Sequence, residues 1–154
     1  MREFFVVAVA LAVVAAGASA ASARLPTVLT QDSTRVFVVR PATIGYTGDG
    51  TGIIGGRDGT DARHPGRLRW PVYNRRQGVG TGIVWLDDCE PDCADGAFHP
   101  YAARVHVFTP KHGHFTRLTV SFTYHGRHVV DRRRAALHGT YWAYEIVSQT
   151  GFGS

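Results

Sequence analysis

From Phe115 to Tyr124 the chain alternates, with Leu118, Val120, Phe122 and Tyr124 on one side of an extended strand and Arg117, Thr119, Ser121 and Thr123 on the other. A period of two is what a strand in an antiparallel sheet requires, one face on the core and the other wet. Arg104-Val-His-Val-Phe108 repeats the pattern, with Val105 and Val107 on one face. Arg35 to Arg40 is rich in β-branched residues and ends at Pro41, and Tyr141 to Val147 supplies a last aromatic strand. Leu68-Arg-Trp70, closed by Pro71, reads as an edge. Six to eight strands at turn-punctuated spacing predict one all-β domain, an antiparallel β-sandwich or, alternatively, a small β-barrel.

Glycine marks the breaks. Gly48-Asp-Gly-Thr-Gly52 and Gly78-Val-Gly-Thr-Gly82 both read as turn-rich links, and neither carries the G-K-[ST] ending of a phosphate loop. Only Val129 to Leu137 admits a helix, with Asp131 as cap and Gly139 as stop. Its three consecutive Arg residues argue equally for an exposed loop.

The first residues have a different character. A short polar start is followed by an apolar run from Phe4 to Ala16, then by Ala18-Ser19-Ala20 and Ala21-Ser22-Ala23. This order fits a secretory signal peptide over residues 1–20, cleaved after 20 or 23. The run is short of the roughly 20 residues a membrane span needs. Residues 21–31 are expected to be a mobile leader and 32–154 the β domain, exported, extracellular and monomeric.

Export gives the two cysteines meaning. Cys89 and Cys93 are the only ones, in Asp87-Asp-Cys-Glu-Pro-Asp-Cys-Ala-Asp95. An even count outside the cell implies pairing, and closing so short a loop stabilises by about 2 kcal/mol. A redox pair and a zinc site with His99 are the alternatives.

Net charge is +5, but residues 81–101 hold five acids and no Lys or Arg. Those five, Asp87, Asp88, Glu90, Asp92 and Asp95, make the loop the candidate contact site for an extracellular or cell-wall ligand. No cofactor is expected, calcium at this loop being the alternative, although the spacing departs from the EF-hand pattern. Sixteen of the 17 basic residues are Arg, which reads as coding bias rather than nucleic-acid binding. His112, His114, His125 and His128 fall around expected turns. Trp85 is expected in the core, while Trp70, Tyr141, Trp142 and Tyr144 divide between core and a groove.

No G-x-S-x-G, S-x-x-K or H-E-x-x-H motif is present. The expected role is a non-catalytic binding or envelope-associated module, the alternative a hydrolase without a linear motif. The order R-P-A-T-I-G-Y-T-G-D-G-T-G, L-R-W, G-T-G-I-V-W-L-D-D-C-E-P-D-C-A-D-G and F-T-R-L-T-V-S-F-T-Y resembles small secreted actinobacterial proteins, over roughly Arg40 to Tyr124. That resemblance implies export and carries no activity. Gly96-Ala-Phe-His-Pro100 resembles a stretch of secreted subtilisin inhibitors, which have two disulfides where this chain has cysteines for one.

Overall fold

The computed structural model describes residues 24–31, 36–56 and 65–151. The expected signal peptide lies outside them. Ten strands follow in order: β1 Val28–Leu29, β2 Phe37–Val38, β3 Ile44–Gly45, β4 Gly52–Ile54, β5 Arg69–Tyr73, β6 Gln77–Asp87, β7 Phe98–Lys111, β8 His114–Tyr124, β9 Arg127–His138 and β10 Tyr141–Thr150. Eight of them form one antiparallel sheet, β10-β9-β8-β7-β6-β4-β3, with β5 paired to β6 beside β4; β1 and β2 form a second, two-stranded sheet. The all-β, antiparallel, single-domain expectation holds. Its second layer is small, and the main sheet curls into a half-barrel.

The long strands β7 to β10 are joined by hairpins of two residues. His112-Gly113 and His125-Gly126 both have positive φ at each position, the geometry that matches the right-handed twist of the flanking strands. On the inner face lie Val105, Val107, Leu118, Val120, Phe122 and Val129, all buried. The alternation read in β7 and β8 is therefore the true register, with Arg117, Thr119 and Ser121 turned outward.

Three expectations change. The stretch Val129 to Leu137 is strand β9, neither helix nor loop. Its inner positions are Val129, Asp131, Arg133 and Ala135; two charged residues occupy core sites and hide the period of two. Second, Gly78 to Gly82 is not a link but the first half of β6. A Cβ at Gly78 would stand 2.8 Å from both Tyr73 and Val107, and one at Gly80 3.1 Å from Trp70. The glycines leave bare backbone on which the β5 aromatics lie.

Third, the described part of the expected leader, Arg24 to Gln31, is built into the fold. Val28 and Leu29 are fully buried. The hydroxyls of Tyr73 and Tyr144 donate to the backbone oxygens of Pro26 (2.6 Å) and Leu29 (3.0 Å), and Phe115 N donates to Thr27 O. A curled sheet has a trough, and this short apolar segment fills it. Two residues are too few to show periodicity in advance.

Candidate functional site

Among the described residues, two surfaces present clustered polar groups. The first is the acidic loop between β6 and β7. Asp87 ends β6, and Asp88, Glu90, Asp92 and Asp95 follow on the loop, so the structure keeps the five together at one end of the sheet. The Cys89 and Cys93 sulfurs stand 2.05 Å apart, disulfide distance.

Three of the five carboxylates are turned on the loop's own backbone. Asp87 Oδ1 accepts from Cys89 N (2.9 Å), and Asp92 Oδ1 from Ala94 N and Asp95 N. Asp88 Oδ1 accepts from Glu90 N and Ala97 N, while Oδ2 meets His99 Nε2 at 2.9 Å. The Ala97 amide, then His99 and the Glu90 amide, hold the Asp88 carboxyl down to about 2. These are the short-range side-chain-to-backbone bonds that Asp favours in turns. Glu90 and Asp95, like Asp88 and Asp92, are exposed. Among the described residues no group of three or more His, Cys, Asp or Glu is arranged to hold a metal ion.

The second surface lies on the outer face of the sheet. A cleft of about 480 Å³ is lined by Val72, Gln77, Val79, Arg104, His106, Thr119 and Ser121. The register explains why these residues meet. Val79 stands opposite Val72 on β5 and opposite His106 on β7, His106 opposite Thr119 on β8, and Arg104 opposite Ser121. Every polar side chain in the cleft therefore rises from a strand paired on both sides.

His106 is fixed twice. Its Nε2 and Gln77 Oε1 are 2.9 Å apart, and its ring stacks on Phe108 at 4.7 Å. Burial, then the Arg104 guanidinium, holds its imidazole below the ordinary value of 6.5, so it is neutral at pH 7. The Thr119 and Ser121 hydroxyls share the cleft with it.

The remaining expectations divide. Trp85 is buried, yet on the outer face, its Nε1 donating to Pro65 O. Tyr144 is core and Tyr141 is 64% exposed, while Trp142 packs edge-on against Phe37. His112 and His125 sit in turns, but His114 and His128 lie within strands, and His114 Nδ1 is 2.6 Å from Thr27 Oγ1. Arg104, His106, Thr119 and Ser121 each stood on the polar side of a readable strand. What no single strand displays is that the register brings them side by side.

Comparison with family models, with curated proteins and with solved structures finds no match for this chain.

Proposed function

We propose that the chain is an exported, non-catalytic binding module acting outside the cell or on the envelope, and that it meets its ligand at the outer-face cleft. The carrying observation is the make-up of that cleft: one guanidinium, one imidazole, one amide and two hydroxyls over Val72 and Val79, displayed by four neighbouring strands. Groups on paired strands lose little freedom when a ligand arrives, which favours affinity. The A-x-A segment and the cysteine pair support export.

The cleft is preferred to the acidic loop because three of the loop's carboxylates already serve its backbone. The loop stays a second contact surface, for a basic partner or a cation, through Glu90 and Asp95. A hydrolase is the alternative, favoured by one observation: a neutral imidazole and two hydroxyls share the cleft.

Mixing the exported protein with envelopes of the producing cell and sedimenting them tests the reading. The expected result is retention that salt reverses and that Thr119→Asp abolishes. No retention at low ionic strength, together with turnover of an ester or peptide lost in Ser121→Ala, would establish the hydrolase instead.

A further inference from the structure

The cleft is one corner of a larger charged field. Outward positions of β7, β8 and β9 hold Arg104, Arg117, Arg132 and Arg134. Arg132 stands opposite Thr119, and Arg117 opposite both Phe108 and Arg134. Among the described residues, Arg134 alone of the four has a carboxylate partner, Glu145 on β10 at 3.2 Å from its Nε. The other described acids near this field are engaged elsewhere: Asp131 faces the core and Asp87, at the far end of β6, accepts from Cys89.

From strand spacing and rise, Arg104 and Arg132 stand about 12 Å apart and Arg117 and Arg132 about 8 Å. Like charges set in a row without counter-ions repel one another, and an anion across them relieves that repulsion. The field is a track rather than a point, so it suits an extended ligand carrying several anionic groups.

We propose that this face binds an acidic saccharide chain, its carboxylate, sulfate or phosphate groups on Arg104, Arg117 and Arg132 and one sugar ring in the cleft. This rests on the reading of the chain as a binding module and names its ligand class. Thr119, Ser121 and Gln77 offer the hydroxyl and amide partners that sugar hydroxyls need, and Val72 and Val79 an apolar floor for a ring's C–H face. A nucleic acid fits less well, because Phe108, beside the track, is already stacked on His106 and base stacking needs a free aromatic face. A membrane fits less well too: the exposed Leu137, Tyr141, Ile146 and Val147 lie on β9 and β10, beyond the track.

Purified full-length protein is titrated at low salt with polygalacturonate, heparin and phosphomannan, the carboxylate, sulfate and phosphate arms. Dextran, single-stranded DNA and anionic phosphatidylserine vesicles are the controls. The expected outcome is binding to at least one acidic glycan and not to dextran, weakening as salt rises. The double variant Arg104→Gln/Arg132→Gln should bind roughly tenfold or more weakly, the loss expected of a charged hydrogen bond. Arg75→Gln/Arg76→Gln, with the same charge removed at the exposed β5–β6 turn, should bind as the parent does. Equal loss in both variants, no loss in either at unchanged melting temperature, or preference for DNA, vesicles or dextran overturns the proposal. Envelope retention that persists while every acidic glycan fails would sink this ligand class and leave the binding-module reading standing.

Discussion

Arg133 Nη1 donates a 2.6 Å hydrogen bond to the backbone oxygen of Tyr46, and its guanidinium lies 4.6 Å from the centre of the Tyr46 ring. Arg133 is on β9 and Tyr46 directly follows β3, five strands away across the sheet. Laid flat, five spacings measure about 24 Å, far beyond one arginine side chain. The sheet must curl until β9 and the end of β3 come within reach of one arginine, and a side chain rather than a ladder of hydrogen bonds joins them.

Arg133 also anchors Asp131, donating from Nε to Oδ2 at 2.8 Å, and Gln149 supplies a second donor to that oxygen. Asp131 is fully buried and Arg133 nearly so. Replacing Arg133 with Met leaves a buried carboxylate unpaired, and the expected loss is about 3–5 kcal/mol in urea denaturation. Asp131→Asn/Arg133→Met should recover part of it. A single variant as stable as the parent would mean that the two edges do not depend on this pair.

Gly78→Ala should destabilise by about 1–3 kcal/mol through overpacking, because the new methyl meets Tyr73 and Val107 at 2.8 Å. Gly78→Ala/Val107→Ala should be less damaged than the sum of its parts, since half of the clash is removed. Additive thermal-melting shifts would argue that the β5 aromatics do not pack on this glycine.

Val120 is fully buried and stands opposite Asp131. Val120→Asp therefore places a second carboxylate beside the first in the core, and the domain should not fold. Thr119→Asp, one residue away on the outer face, should keep a cooperative unfolding transition. Equal tolerance at the two positions would require a different register for β8.

His106 and Asp88 contribute to the pH response with opposite chemistry and the same sign, and Asp49 and Glu145, whose carboxyls are also lowered, add to the acid limb. His106 has a lowered folded value, so below 6.5 the unfolded chain takes up protons that the folded chain refuses, and stability falls as pH drops. Asp88, held down to about 2, contributes stability above 3.8 that disappears as pH falls toward 2. His106→Gln should flatten the first limb, and Asp88→Asn should make the second shallower without abolishing it, since Asp49 and Glu145 remain. Limbs unchanged in the variants would assign the response to other groups.

Cys89 and Cys93 should be recovered joined, two hydrogens lighter by mass spectrometry than the reduced chain. Reduction is expected to cost about 2 kcal/mol. Backbone amides of Cys89, Ala94 and Ala97, bonded to Asp87, Asp92 and Asp88, should still be protected in hydrogen exchange after reduction. Two free thiols in the purified, unreduced protein would refute the pairing.

The strands β7 and β8, their inner and outer faces and the last aromatic strand could be read from residue order alone, because alternation on a half-wet sheet is a local signal. The same holds for the acidic composition of the cysteine loop. Strand β9 escaped because Asp131 and Arg133 fill core positions as a pair, and a pair is visible only once both residues are seen facing inward. The first half of β6 escaped because its glycines make room for Tyr73 and Trp70, contacts that exist only after β5 has folded alongside. Burial of Val28 and Leu29 depends on a trough that no segment forms by itself. The cleft followed the same rule. Sequence set which side of each strand Arg104, His106, Thr119 and Ser121 occupy, while register alone set them shoulder to shoulder, since a slip of one residue would turn a strand's outer residues inward.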